Sequence, residues 1–281
     1  MKKTIYVTGI TGFIGKNLLT YLIDKYDYVA NFTRRGTIQL IDKQNTFEEP
    51  ISKDFFLRYP SKTLINLATL YQQFPETKNE LDDLVQSNIL FPSMVVNELG
   101  GFEDLKITNV LSYSQLLNIS DQNVYSLSKE LFKHYLDHIS SLVVNIYIFD
   151  TFGSGDTRNK VTDVFIKNIL LGKSITIPKN EIKINLSDCN LVSQSLLKSI
   201  ELKPGSYSIQ SPDTISLERL AVLIMKILDT KVKIVRNNFA EDLIETIETF
   251  PENIFPKNTN YSLENSLSRR IQEIKNELKI K

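Results

Sequence analysis

Apolar residues in the first 172 positions alternate between short continuous runs and longer stretches with helical spacing. Short runs bounded by polar or glycine residues are typical of buried strands, and spacings of three and four are typical of helices packed on one side. The pattern predicts strands at residues 4–8, 28–33, 63–68, 105–111 and 142–149, and helices at 13–24, 80–99, 124–139 and 161–171. Strands separated by helices indicate an α/β fold with a parallel sheet. Residues 36–60 have a mixed pattern and are expected to hold a strand or a short helix.

The pattern changes after Gly172, where short strand-like runs are spread among helices. Strands are predicted at 174–177, 206–210 and 231–235, and a helix at 217–228 follows Ser216, a residue type that favours the N-cap. A final helix is predicted at 263–281 because five apolar residues recur on one face: Leu263, Leu267, Ile271, Ile274 and Leu278. We therefore predict a main α/β domain at 1–172, to which some later segments return, and a smaller α/β lobe at 173–281.

The charge, the cysteine content and the lengths of the apolar segments limit the partners and the compartment that we expect for this protein. The 281 residues include 33 Lys plus Arg and 33 Asp plus Glu, so the overall charge favours neither nucleic acid nor an anionic membrane as partner. Cys189 is the single cysteine, which excludes an internal disulfide and fits a reducing compartment. No segment approaches the ~18 apolar residues that a membrane span requires. We expect a cytoplasmic protein.

The segment T-G-I-T-G-F-I-G at residues 8–15 places three glycines between the first predicted strand and the first predicted helix. Gly9 permits a tight turn, Gly12 lets the backbone approach a pyrophosphate, and Gly15 lets the helix pack closely on the strand. The free N–H groups and the dipole at a helix start attract phosphate charge. We predict a dinucleotide site whose contacts here are Gly9, Thr11, Gly12, Phe13, Ile14 and Gly15.

This G-x-x-G-x-x-G spacing with a preceding Thr8, together with Y-x-x-x-K at Tyr125 and Lys129, resembles the extended short-chain dehydrogenase/reductases, the NAD-dependent epimerase/dehydratase family. The resemblance implies a Rossmann-type doubly wound parallel sheet at 1–172 and a smaller C-terminal substrate lobe at 173–281. It also implies a nucleotide-sugar substrate and a homodimer formed by helices 80–99 and 124–139. Ala68 and Thr69 match the family's loop beside the cofactor, and Asn88 matches its helix asparagine.

The spacing predicts that Tyr125 and Lys129 lie side by side, because residues four apart share one face of a helix. A nearby ammonium stabilises tyrosinate, so we expect the pKa of Tyr125 to lie below its ordinary value and the phenol to exchange a proton with a sugar oxygen. Lys129 is also expected to contact the nicotinamide ribose. A serine at the preceding strand end should hold the reacting oxygen; by resemblance Ser114 matches best, and Ser112 is the alternative.

The coenzyme is predicted from the end of the second strand, where a carboxylate would bind the ribose hydroxyls of NAD and an arginine would accept the 2′-phosphate of NADP. Arg34 and Arg35 stand there without an acid, which favours NADPH, and NAD is the less favoured coenzyme. The alternative is that both arginines are solvated surface residues.

Dehydratases of the family carry Asp-Glu directly after the catalytic threonine, where this chain has Gln115 and Leu116. Reduction of a nucleotide-linked 4-keto sugar is therefore the leading hypothesis. Residues 65–71, 87–92 and 150–158 resemble the synthases of CDP-linked 3,6-dideoxyhexoses, the paratose and abequose reductases of O-antigen assembly. That resemblance puts Asp150 and Arg158 near the nucleotide sugar, although the family often has Asn in place of Asp150 and Arg in place of Tyr147.

Two other hypotheses remain open. One is a nucleotide-sugar epimerase, and the other is a non-catalytic NADP-binding sensor or scaffold, suggested because residues 184–190 lack the family's usual acidic segment. No metal site is predicted: His134 and His138 share a helix face, but no third ligand is evident nearby and His134 lies on the side opposite Tyr125.

Overall fold

The computed structural model describes residues 2–100, 104–117, 123–237, 250–255 and 261–279. Their strands are β1 Thr4–Thr8, β2 Tyr28–Phe32, β3 Thr37–Ile41, β4 Thr46–Pro50, β5 Thr63–Asn66, β6 Lys106–Ser112, β7 Val143–Ile148, β8 Asp150–Phe152, β9 Ile175–Pro178, β10 Lys183–Asp188, β11 Gly205–Ile209, β12 Thr214–Ser216, β13 Ile234–Asn237 and β14 Glu252–Asn253. The main sheet has the order β14-β11-β7-β6-β5-β1-β2-β3-β4. It is parallel except at β2–β3 and β3–β4, which pair antiparallel.

Helices cover both faces of this sheet, which confirms the predicted doubly wound α/β class. The α-helices of the described residues are α1 Phe13–Lys25, α2 Lys53–Arg58, α3 Lys78–Val85, α4 Phe91–Glu98, α5 Val124–Ile139, α6 Val161–Leu170, α7 Cys189–Ser199, α8 Leu217–Ile227 and α9 Leu263–Leu278. On one face Leu18 and Leu22 of α1 pack with Val192 of α7. On the other face Val95 of α4 packs with Phe132 of α5.

Two predicted segments differ from the structure. Residues 36–60 hold the hairpin of β3 and β4 followed by α2, and β4 was hard to recognise because its edge position leaves Phe47, Glu48 and Glu49 without buried alternation. The predicted helix 80–99 is broken by a π-type turn at Gln86–Leu90. Pro92 follows this turn at the start of α4, and proline has no N–H to continue the regular ladder.

The second half of the chain contributes to both parts of the molecule. Strands β8, β10 and β12 form a three-stranded sheet and β9 pairs with β13; α6, α8 and α9 pack against them around a core that includes Phe165, Ile224 and Ile271. Arg270 and Asp163 form a buried ion pair between α9 and α6 at 2.6 Å. The strand predicted at 206–210 is β11, which joins the main sheet beside β7. The boundary at 172 stays a prediction.

Candidate active site

The glycine-rich turn is shaped by close backbone contacts. Gly9 has φ +73°, and a Cβ there would lie 2.8 Å from the amide nitrogen of Ala68. A Cβ on Gly15 would lie 2.3 Å from the carbonyl oxygen of Gly9, so only glycine lets α1 begin against the turn. Gly12 is the N-cap of α1, and no side chain caps the helix start. The following amides are thus available to an anion, and the turn fits the pyrophosphate of a dinucleotide.

Hydrogen bonds hold the loop after β5 against this turn. Thr8 Oγ1 accepts a hydrogen bond from the Ala68 amide at 3.1 Å and donates one to Asn66 Oδ1 at 2.6 Å. Asn88 Oδ1 accepts from the Leu70 amide at 2.6 Å, and Asn88 Nδ2 donates to Ser128 Oγ at 2.9 Å. Asn88 therefore positions the loop against α5 and is not among the residues that line the cavity.

The turn opens into a cavity of about 570 Å³, which lies within the range of small-molecule sites. It brings together, from separate parts of the chain, the predicted residues Gly9, Thr11, Gly12, Phe13, Ile14, Gly15, Arg34, Arg35, Ala68, Thr69, Ser114, Tyr125, Lys129, Asp150 and Arg158. The alternative serine, Ser112, lines the same cavity.

The Tyr125–Lys129 pair lies in this cavity with protonation properties that differ from expectation. Lys129 Nζ donates to the Val110 carbonyl at 2.8 Å and lies 5.9 Å from the centre of the Tyr125 ring. Burial raises the pKa of Tyr125 to about 12, although the hydrogen bond with Thr69 opposes the shift. Burial lowers the pKa of Lys129 to about 8. The prediction that the pKa of Tyr125 lies below its ordinary value is wrong, because burial of the phenol is the largest effect and raises the pKa.

Both candidate serines belong to a chain of hydroxyl groups. Ser112 caps the 3₁₀ turn Tyr113–Leu116, and its Oγ lies 2.8 Å from Ser114 Oγ. Ser126 Oγ donates to Ser114 Oγ at 2.7 Å and is fully buried. Ser112 thus has a local structural role, whereas Ser114 is held from α5. Ser126 directly follows Tyr125 in the sequence but was not among the predicted site residues.

The two predicted substrate residues, Asp150 and Arg158, differ in how firmly other protein groups already bind them. The guanidinium of Arg158 donates to both carboxylate oxygens of Asp156 at 2.8 Å and to the Thr151 carbonyl at 2.9 Å, and it lies over the Phe13 ring. Arg158 is therefore already committed to protein partners. Burial raises the pKa of Asp150, while the charges of Lys160 and Arg158 oppose that shift.

Two further cavity residues were missed as site candidates. Lys160 Nζ lies 3.9 Å above the centre of the Tyr71 ring, and Tyr71 contacts Tyr125 edge to face at 5.0 Å. Within the described ranges Lys160 forms no salt bridge. Its ammonium instead contacts the Tyr71 ring in a cation–π interaction. In the sequence, Lys160 could have been identified as a site candidate from its position two residues after Arg158. His134, in contrast, lies outside the cavity beside Glu130, at 3.3 Å.

A doubly wound sheet with a glycine turn and a Tyr-x-x-x-Lys pair in one cavity is typical of the Rossmann-type dinucleotide-binding fold. The chain belongs to the NAD dependent epimerase/dehydratase family, whose family model matches residues 5–183.

Individual relatives are distant. CDP-abequose synthase of Yersinia pseudotuberculosis is 21% identical over 267 residues, which cover 89% of this chain and 94% of that protein. GDP-6-deoxy-D-talose 4-dehydrogenase of Aggregatibacter actinomycetemcomitans is 27% identical over 213 residues, which cover 70% of this chain and 71% of that protein. UDP-glucose 4-epimerase of Thermotoga maritima has a similar structure, with a TM-score of 0.77, 15% identity and coverage of 98% of this chain and 99% of that chain. The structural likeness concerns the fold.

Proposed function

We propose that this protein is an NADPH-dependent reductase of a nucleotide-linked 4-keto deoxysugar. The observation that carries the proposal is the convergence of Ser114, Tyr125 and Lys129 in the cavity onto which the glycine-rich turn opens. A proton donor, a cation and a hydroxyl beside a dinucleotide site are the groups that carbonyl reduction needs. Bound NADPH supplies the hydride.

Each catalytic candidate has a role that follows from its surroundings. The raised pKa of Tyr125 keeps the phenol protonated at neutral pH, so it can donate a proton to a carbonyl oxygen. Lys129 is fixed on the Val110 carbonyl and contributes positive charge near the phenol and the nicotinamide ribose. Ser114 donates a hydrogen bond to the reacting oxygen, and Ser126 supports it from α5.

Arg34 and Arg35 support the choice of NADPH. Both line the cavity from the turn that follows β2, where the adenosine ribose of a Rossmann coenzyme binds. Their guanidinium groups suit the dianionic 2′-phosphate, which NAD lacks.

The substrate is proposed to be CDP-linked, a 3,6-dideoxyhexose precursor of surface polysaccharide such as O-antigen. The name of the Yersinia relative supports this substrate class. Lys160 is the cation that we propose for the diphosphate, since Arg158 is already held by Asp156. Asp150 is proposed to accept hydrogen bonds from sugar hydroxyls.

The position after Ser114 argues against dehydration. Gln115 accepts a hydrogen bond from the Ser112 amide and donates one to Glu130, so it serves the local turn and offers no acid–base pair. Epimerisation is the second candidate, because the same tyrosine and lysine would serve it and the family includes epimerases.

The protein is further proposed to be a cytoplasmic homodimer. The helices that the resemblance assigns to the dimer carry exposed apolar side chains; they are Leu81, Leu90, Met94, Leu127 and Leu131. Burying these side chains against a second copy would remove them from water.

The direct test is to mix the purified protein with NADPH and a CDP-4-keto-3,6-dideoxyhexose. Stoichiometric loss of NADPH absorbance with formation of the alcohol supports the reductase. A changed sugar configuration without net coenzyme consumption indicates the epimerase instead. Coenzyme binding without turnover of any nucleotide sugar would favour the sensor or scaffold.

A further inference from the structure

The two cavity arginines lie at the tip of an antiparallel hairpin. The Thr33 amide donates to the Thr37 carbonyl at 2.9 Å, and the Gly36 amide donates to the Thr33 carbonyl at 3.1 Å. Gly36 has φ +76°, a conformation that favours glycine and lets β3 turn back along β2. Arg34 and Arg35 therefore project from a turn closed by its own hydrogen bonds.

The register of the hairpin brings a carboxylate to this turn. Gln39 of β3 is paired with Asn31 of β2 on one side and with Glu48 of β4 on the other. Asn31 and Gln39 line the cavity and are joined by a hydrogen bond of 2.9 Å. Because directly opposed residues share a sheet face, Glu48 lies on the face that carries the cavity residues.

Glu48 is bound to the arginine turn itself. One carboxylate oxygen, Oε1, lies 3.2 Å from an Arg35 guanidinium nitrogen and accepts a 2.7 Å hydrogen bond from Thr37 Oγ1. In the part of the chain that the structure describes, Arg34 forms no salt bridge. The two adjacent arginines thus differ: Arg35 has a counter-ion, and Arg34 has none among the described residues.

We propose that Glu48 is a specificity-determining residue for the coenzyme, which limits the preference for a 2′-phosphate by neutralising Arg35. This inference rests on the NADPH assignment in the proposed function. A phosphate dianion at the turn must share Arg35 with Glu48 and is repelled by its carboxylate. A coenzyme with free ribose hydroxyls lacks that extra charge and is less affected.

The size of the effect follows from exposure. The side chains of Arg35 and Glu48 are 68% and 51% exposed, so water and salt screen their interaction. Glu48→Gln is therefore expected to tighten NADPH binding by about two- to fivefold. The amide keeps an oxygen that can accept the Thr37 hydrogen bond, so the hairpin should be retained.

Glu49 provides a matched control one residue along the same strand. It is paired with Ile38, points to the opposite sheet face and forms a 3.0 Å salt bridge with Arg58 of the adjoining helix. Glu49→Gln removes the same charge from β4 and also breaks one arginine pair, but on the side away from the cavity.

The experiment measures dissociation constants of NADPH and NADH by fluorescence titration at low and high salt, for the wild-type protein and both variants. We expect NADPH to bind more tightly to Glu48→Gln only, NADH affinity to change little, and the gain in NADPH affinity to shrink as salt rises. Unchanged or weaker NADPH binding in Glu48→Gln, or an equal gain in Glu49→Gln, overturns it. A wild-type preference for NADH overturns the NADPH assignment, while the comparison of variants on NADPH still decides the role of Glu48. Failure of all three proteins to bind either coenzyme overturns both.

Discussion

The Lys129 ammonium donates a 2.8 Å hydrogen bond to the Val110 carbonyl and so ties α5 to the carboxyl end of β6. Ser114 lies two residues beyond the end of that strand, and Tyr125 precedes Lys129 by one helical turn. The contact therefore holds a strand-end hydroxyl and a helix phenol at one cavity. The contact also buries the Lys129 ammonium, and this desolvation reduces the free energy of unfolding.

We therefore expect Lys129→Met to change the way in which the free energy of unfolding depends on pH. The folded-state pKa of about 8 lies below the ordinary 10.5, so between these pH values the unfolded chain binds more protons and wild-type stability rises with pH. The variant lacks this gain. Its free energy of unfolding relative to wild type should fall by about 2 to 3 kcal/mol from pH 8 to pH 10.5, measured by urea denaturation. Parallel pH profiles would show that Lys129 has no depressed pKa.

Glycine substitutions separate the two tasks of the nucleotide turn. Gly15→Ala places a Cβ 2.3 Å from the Gly9 carbonyl and should cost about 1 to 3 kcal/mol of stability as well as coenzyme binding. Gly12→Ala meets that carbonyl only at 3.3 Å, so stability should change by less than about 1 kcal/mol. Its Cβ would still obstruct a pyrophosphate. Thermal unfolding and NADPH titration test both; normal coenzyme binding by Gly12→Ala would rule out the predicted cradle.

The ion pair between α9 and α6 should respond unequally to single and double substitution. Arg270 and Asp163 are 2% and 4% exposed, and Asp163 accepts two hydrogen bonds from the guanidinium. Asp163→Ala leaves Arg270 with only Glu273 and Glu277, two partly exposed partners, so it should cost about 3 kcal/mol, the lower end of the cost of breaking a buried pair. Replacing both residues, as in Asp163→Leu with Arg270→Met, should cost clearly less. Urea denaturation of the single and double variants measures the difference, and additive losses would contradict it.

Lys160 offers a test of substrate binding that is separate from catalysis. Lys160→Ala should raise KM for the nucleotide sugar by about tenfold, the typical loss of a charge-assisted hydrogen bond, with kcat changed by less than about twofold. Lys173→Ala removes the same charge from an exposed residue outside the cavity and serves as the control. Equal effects of the two variants would remove Lys160 from the binding site.

Local sequence signals were sufficient where one segment determines its own geometry. The turn at Gly9 and Gly15 could be predicted because the helix start at Gly15 packs on the Gly9 carbonyl, six residues earlier in the same segment. The hairpin that brings Glu48 to Arg35 could not, since an exposed edge strand has no buried alternation to recognise. The partnership of Arg158 with Asp156 and the raised pKa of Tyr125 depend on burial and on contacts made in three dimensions.

In the proposed reaction, the Tyr125 phenol protonates a sugar carbonyl while NADPH reduces it. Tyr125→Phe removes the hydroxyl from a buried ring and should leave NADPH affinity within about twofold of wild type. The most direct measurement is the rate of NADPH oxidation with a CDP-4-keto-3,6-dideoxyhexose for the wild-type protein and this variant. We expect the wild-type protein to oxidise NADPH with this substrate and the variant to do so at least about 100-fold more slowly. Equal rates for the two proteins would contradict it.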